Sequence, residues 1–186
     1  MEIPFSPISI PSQYLYFFFL KMQFKVLLLG NCGAGKSVLL ENYQKDQQKP
    51  EEPPPPTINV DTKSKVVHTD LGDVKLSLND TPGLMQYSTV IGSYARSANA
   101  VMLFFAINES DSFKDLHPWF DLVKKNCEDQ LIYLVATKSD LEWKYTKEEL
   151  DQFSKEKHAE LFITAWNGLN TTKEMFKKIA TDLAKK

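Results

Sequence analysis

Cysteine is nearly absent from the 186 residues: the two present, Cys32 and Cys127, lie far apart, without the short spacing of a metal site, so they build neither a disulfide framework nor a zinc ligand set. No charge of one sign dominates. With 22 basic and 24 acidic residues the net charge is -2, which gives no bulk attraction to nucleic acid or anionic lipid. Long apolar runs are missing too: the aromatic cluster at residues 14–19 is too short to span a bilayer, and no basic segment precedes it, so it reads as neither a transmembrane helix nor a secretory signal. Glycine is sparse, seven residues in all, yet three of them fall within eight positions. Internal repeats are absent. What remains is an ordinary globular composition, 42% hydrophobic and 25% charged, long enough for one sizeable domain in a reducing, cytoplasmic setting.

Residues 1–21 differ from the rest, with prolines at 4, 7 and 11 ahead of the aromatic cluster, and Met22 then opens MQFKVLLLGNCGAGKS. The expected organisation is therefore a hydrophobic N-terminal extension over 1–21, either a leader or a misassigned start, followed by one domain over 22–186. The functional alternative for the extension is contact with a hydrophobic partner or a membrane.

Residues 24–29 are a continuous apolar run of buried-strand type, and Val38, Leu39 and Leu40 give helical spacing over 37–43. QKDQQKPEEPPPPT offers nothing apolar to bury, and its four successive prolines predict an exposed, extended loop. Residues 60–68 and 74–80 flank the turn TDLGD as a hairpin, with Val74, Leu76 and Leu78 on one face. Buried strands over 100–107 and 131–136 bracket a helix carrying Phe113, Leu116, Phe120 and Val123. Helices over 146–158 and 171–185 enclose a short strand at 161–163; Leu150 with Phe153, and Met175 with Ile179 and Leu183, form their inward stripes. The order βαββαβαβαβα predicts an α/β fold, a mostly parallel sheet with helices on both faces and a ligand site at the carboxyl ends of its strands.

GNCGAGKS, residues 30–37, ends the first strand and opens the first helix, and it matches G-x-x-x-x-G-K-[ST]. Its glycines let backbone N–H groups across Asn31, Cys32, Gly33, Ala34, Gly35, Lys36, Ser37 and Val38 surround phosphate oxygens, helped by the positive end of the helix. In this motif Lys36 reaches the β- and γ-phosphates and the Ser37 hydroxyl ligates Mg²⁺. A second element, ATKSDL, follows a buried strand and carries Thr137, Lys138, Asp140 and Leu141. A carboxylate there accepts paired hydrogen bonds from guanine N1–H and the exocyclic amine, a pattern adenine does not offer.

With these two elements in register, residues 22–186 resemble the Ras superfamily of small GTPases, in which the second element reads N-K-x-D, with Thr in first place in Rho-type members. TINVDTKSK, VKLSLNDTPG, GSYARSANAVMLFFAINESDSF and ATKSDL are most similar to Rab proteins. The resemblance implies a P-loop G domain, a six-stranded sheet with one antiparallel strand, and a GTP phosphohydrolase that binds GTP or GDP with Mg²⁺. NDTPG matches the family's D-x-x-G, which implies that Asp80 holds the ion through water and that the Gly83 N–H meets the γ-phosphate. Thr57, in PTINVD, matches the switch threonine. The implied metal set is Ser37, Thr57 and Asp80, and the residues acting on the γ-phosphate are Lys36, Thr57 and Gly83. Thr164, Ala165 and Trp166 match S-A-K, whose alanine N–H meets guanine O6. Implied partners are effector and regulator proteins at the two switch loops, and no nucleic acid. The implied protein is a monomer, cytoplasmic or peripheral on endomembranes, in vesicle trafficking or signalling.

Several positions depart from that pattern. Leu84 follows Gly83 where Ras and Rab proteins carry the glutamine that orients the attacking water, which predicts slow hydrolysis; DTPGL is also similar to Era-like GTPases, which use a hydrophobic residue here. Cys32 stands where Ras has glycine, either crowding an arginine finger or simply tolerated. Twenty positions separate Ser37 from Thr57, more than in Ras, and the aromatic that packs on guanine is missing, with Gln48 and Pro50 in its vicinity. Its loss is worth about 1–3 kcal/mol. Trp166 replaces a lysine; it lies either near the base, restoring some of that packing, or on the surface or in the core. Of three aromatics that Rab proteins present to effectors only Tyr94 remains, since Thr62 and Asn79 hold the other places. No prenylation cysteine follows Cys127, so membrane attachment is left open. The competing reading is a pseudo-GTPase, a binding module that holds nucleotide without effective hydrolysis, its first switch loop stiffened by the prolines at 53–56.

Overall fold

The computed structural model describes residues 22–47 and 54–186; the N-terminal extension, Gln48, Pro50 and the first proline of the run at 53–56 lie outside the described residues. Six strands form one sheet in the order β2-β3-β1-β4-β5-β6. They are β1 (Gln23–Leu29), β2 (Asp61–Thr69), β3 (Gly72–Asp80), β4 (Ala100–Ala106), β5 (Leu131–Thr137) and β6 (Glu160–Ile163). Only β2 runs antiparallel, joined to β3 by the expected hairpin, and the other four pairings are parallel.

Period-two alternation splits the core in two. Val26 and Leu28 of β1 face one cluster with Val74, Leu76 and Leu78, under helices α1 (Lys36–Lys45) and α6 (Leu169–Lys185). There Tyr43 of α1 stacks on Phe176 of α6 with ring centroids 4.1 Å apart. Leu27 and Leu29 face the second cluster, with Ile91, Trp119, Leu150 and Phe153, under α2 (Ser88–Ser97), α4 (Leu116–Asn126) and α5 (Lys147–Glu156). β4, AVMLFFA, is buried at every position because it is covered on both faces. The expected inward stripes of α5 and α6 are all buried.

Several helix boundaries differ from the sequence reading: the first helix runs one or two residues further at each end, α5 stops at Glu156, and α6 starts at Leu169. The segment read as one helix over Phe113 to Val123 is two, α3 (Ser110–Lys114) and α4. Pro118 explains the break: a continuous helix would need an N–H from it to the Lys114 carbonyl, whereas the first turn of a new helix needs none. Thr146 is the cap of α5 rather than its first residue: its Oγ1 accepts from the Glu149 N–H at 3.2 Å while its own N–H donates to Glu149 Oε2 at 2.8 Å. A short 3₁₀ turn, Met85–Tyr87, precedes α2. The loops after β1, β3, β5 and β6 all open at the carboxyl edge of the sheet, where the predicted motifs lie.

Candidate functional site

The loop after β1 carries the phosphate motif. Gly35 takes φ 87°, left-handed backbone that favours glycine, and caps α1, whose first turn has no capping side chain and no acidic residue, so its N–H groups are left for an anion. Lys36 is buried and its Nζ donates to the carbonyls of Gly30 at 2.6 Å and Asn31 at 3.0 Å. Burial pulls its ammonium down to about 8, against the pull of the Asp80 carboxylate. Two amides expected to face phosphate are engaged within the protein: Cys32 N–H donates to the Gly83 carbonyl at 3.0 Å, and Ala34 N–H to the Asn31 carbonyl at 3.2 Å. Asn31 itself turns away from the cleft. Its Nδ2 donates to Asp115 Oδ2 at 2.6 Å, and its Oδ1 accepts from the Nε1–H of the fully buried Trp119 at 2.8 Å. Gly83 lies so close behind that a Cβ there would sit 2.2 Å from the Cys32 nitrogen.

Ser37, Thr57 and Asp80, expected to ligate the metal, do come together. Ser37 Oγ donates to Asp80 Oδ2 at 2.6 Å and lies 2.9 Å from Thr57 Oγ1, which itself reaches Asp80 Oδ2 at 3.3 Å. Burial pushes the Asp80 carboxyl up, while the Ser37 hydrogen bond and the Lys36 charge oppose the shift. Its other oxygen, Oδ1, is buried and accepts no hydrogen bond among the described residues. An uncompensated carboxylate oxygen beside two hydroxyls is the hard, all-oxygen donor set that suits Mg²⁺, so these residues fit the ion.

A cleft of about 560 Å³ runs from Cys32 and Gly33, past Lys36, Ser37 and Val38, to Thr137, Lys138, Asp140, Leu141, Thr164, Ala165 and Trp166. Thr57 and Gly83 line it as well; Pro54, Pro55 and Pro56 form one wall, and Leu84, half-exposed, stands at the rim. Of the predicted binding residues only Asn31 and Ala34 do not line it, and both hold the loop from behind. The same prolines, with Ser37 and Thr57, also line a neighbouring groove of about 840 Å³ that opens on Asp80.

At the far end Thr137 works on the backbone: its Oγ1 lies 2.8 Å from the Ala34 carbonyl and 3.1 Å from that of Phe105. A hydroxyl has one hydrogen, so Thr137 fastens the phosphate loop to the sheet instead of donating to a base. Lys138 stands in left-handed backbone at φ 59° and pairs with Glu109 at 2.6 Å. Ser139 N–H donates to the Thr164 carbonyl at 3.2 Å, joining the two base-side loops. Trp166, 44% exposed, lines the cleft, and its Nε1–H donates to Asp140 Oδ2 at 2.9 Å. The indole is therefore not in the core: it lies at the exposed rim of the cleft beside Asp140, the carboxylate expected to read the base.

Sequence reasoning missed Trp119 and Asp115, which anchor Asn31, and Asn42 of α1, whose Nδ2 donates to the Trp166 carbonyl at 3.2 Å. Only Asn42 left a trace, a polar residue within the apolar stripe of Leu39, Leu40 and Tyr43. Thr62 and the buried Asn79 are cross-strand partners, Thr62 Oγ1 donating to Asn79 Oδ1 at 2.8 Å, and Tyr94 is exposed.

Comparison with known proteins identifies relatives of this chain. A model of the Ras family matches residues 25–185. Ras-related protein SEC4 of Saccharomyces cerevisiae is 34% identical over 119 residues, which is 63% of this chain and 54% of that protein. Ras-related protein Rab-13 of Mesocricetus auratus is 28% identical over 163 residues, 86% of this chain and 79% of its own length. Ras-related protein RABD2a of Arabidopsis thaliana is 34% identical over 119 residues, covering 63% and 58%. The match thus spans little more than half the length of the first and third of these relatives. Among the described residues no helix is long and apolar enough to cross a membrane.

Proposed function

Because the chain belongs to the Ras family, we propose that residues 22–186 are a G domain acting as a Rab-like, guanine-nucleotide-operated switch with slow GTP hydrolysis, working through effector and regulator proteins in vesicle trafficking. The observation that carries this reading is the metal corner: Ser37, Thr57 and Asp80 oxygens within 2.6–3.3 Å of one another, beside a buried carboxylate oxygen with no hydrogen bond among the described residues. A pure scaffold has no use for such a corner.

In this reading the N–H groups at the start of α1 and the Lys36 ammonium hold the phosphates, and Asp140 reads the purine through its two oxygens. Bound Mg²⁺ neutralises charge on the phosphate oxygens. Thr57 and Gly83 would sense the γ-phosphate, and each lies at the mouth of a loop that leads to the exposed surface: Thr57 to Ile58 and Asn59, Gly83 to Leu84 and Met85. Hydrolysis would remove the group that both sense and so release both loops. The side chain of Leu84 has no hydrogen-bonding atom with which to orient a water, so the chemical step rests on positioning and charge alone. That same observation supports the second reading, a pseudo-GTPase.

The test is to identify the nucleotide retained by purified protein and then follow single-turnover hydrolysis of GTP with Mg²⁺. Retained guanine nucleotide with measurable turnover is the expected result. Guanine nucleotide without turnover selects the pseudo-GTPase, and retained adenine nucleotide overturns both readings.

A further inference from the structure

We propose that Trp166 is the positioning residue for purine recognition, its indole N–H fixing the plane of the Asp140 carboxylate so that both oxygens meet the two donors of guanine. The inference rests on the guanine reading above and deepens it. The bond is direct, 2.9 Å from Nε1 to Oδ2, and charge-assisted. A carboxylate has about four lone-pair sites on its two oxygens, so the indole takes one and leaves Oδ1 and the second site of Oδ2 for the base.

Trp166 is also held from the other side. Its carbonyl accepts from Asn42, a buried residue of α1, at 3.2 Å, and the turn that follows is closed by Gly168 N–H on the Ala165 carbonyl at 3.0 Å. The indole therefore presents its N–H from a backbone tied to the helix that begins in the phosphate loop. The other donors of this corner are committed elsewhere: Lys138 Nζ goes to Glu109 and Trp143 Nε1 to the Ser139 carbonyl. An exposed carboxylate without such a partner rotates about its last bond, and a freely rotating acceptor pair loses the advantage of meeting two donors at once.

The prediction concerns a ratio. Hypoxanthine keeps N1–H but lacks the exocyclic amine, so the preference for GDP over IDP measures how well the second donor is met. We would measure displacement of a fluorescent GDP analogue by GDP and by IDP, with Mg²⁺, for wild type, Trp166→Phe, Asp140→Ala and the double variant. Phenylalanine keeps a ring and loses the N–H, and at a position 44% exposed it is tolerated by the fold, which circular dichroism checks. Trp166→Phe should narrow the GDP:IDP preference about fivefold, and should have no further effect on the ratio in the Asp140→Ala background. If Trp166→Phe weakens GDP and IDP by the same factor, the indole is only structural and the proposal fails. A preference that widens shows that the indole competes with guanine for Asp140, and also overturns it. Wild-type protein that binds neither nucleotide removes the switch reading, and this inference with it.

Discussion

Trp119 offers the sharpest energetic test, because its indole N–H ties the phosphate loop to a helix of the buried core by a single side-chain hydrogen bond. Its indole is fully buried and donates at 2.8 Å to Asn31 Oδ1, two residues before Gly33. Trp119→Phe removes the donor and part of the ring. Leaving Asn31 Oδ1 without its partner costs about 1–3 kcal/mol, and the lost volume about 1 kcal/mol more. A total near 3 kcal/mol corresponds to a fall in Tm of about 6–12 °C for a chain of this size. Asn31→Ala strips the same bond from the other side, strands the buried indole N–H, and gives up the exposed contact with Asp115. In the double variant both partners of the bond are gone, so neither is stranded, and the two losses should overlap by about 1.5 kcal/mol. Urea unfolding of the four proteins without nucleotide gives the coupling directly. Costs that add to within about 0.5 kcal/mol would refute the reasoning, since the bond would then hold no energy of its own.

Three further outcomes are expected. Gly83→Ala would place a methyl group 2.2 Å from the Cys32 nitrogen and 2.5 Å from the Asn31 carbonyl carbon, both backbone atoms. The loop must therefore move outward, and the affinity for GTP relative to GDP should fall about tenfold, with an unchanged ratio in competition binding counting against a γ-phosphate contact at Gly83. Leu84→Gln restores an amide that can orient water, and single-turnover GTP hydrolysis should rise about tenfold; an unchanged rate would show that the chemistry does not depend on this position. Asp80→Asn removes the carboxylate charge from the metal corner, so EDTA, which should speed release of fluorescent GDP from wild type, should have little effect on the variant; equal acceleration in both would mean that Asp80 is not a metal ligand.

The fold was legible because its signals are dense and local. β4 is seven apolar residues in a row, and a strand covered on both faces demands that. The glycines and lysine of GNCGAGKS specify a loop by backbone geometry, which a short window of sequence can carry. The Ser37, Thr57 and Asp80 corner was legible too, though from resemblance more than pattern, since 43 positions separate its first and last members. The break at Asp115 was missed because the apolar spacing runs on through it, and only the missing N–H of Pro118 betrays it. Asn31 and Trp119 could not be paired in advance: 88 positions apart, they meet only once β1 and α4 pack together. On an apolar helix face Trp119 reads as a core residue, which it is, and nothing local says that its one polar atom is aimed at the phosphate loop.

The two ends of the cleft differ from the family pattern to different degrees, and chemistry explains why. Phosphate is held mainly by main-chain N–H groups and one cation, so the requirement falls on glycine positions and a helix start, and these are intact. Recognition of a base falls on side chains, which can be exchanged if the donor and acceptor count is kept. Thr137 supplies the bond to the Ala34 carbonyl at 2.8 Å with a hydroxyl in place of an amide, and Trp166 supplies a directed donor to Asp140 at 2.9 Å where the family has a lysine. The hydroxyl has no second hydrogen to offer a base, and in the proposed reading the indole fixes the carboxylate that remains. In that reading the choice of base depends more heavily on a single acidic residue. Asp140→Ala should therefore abolish guanine preference outright, with GTP and ATP becoming equal competitors, while Lys36→Ala weakens both to the same degree. A residual preference for GTP in Asp140→Ala would mean that the Ala165 amide or the indole face reads the purine independently.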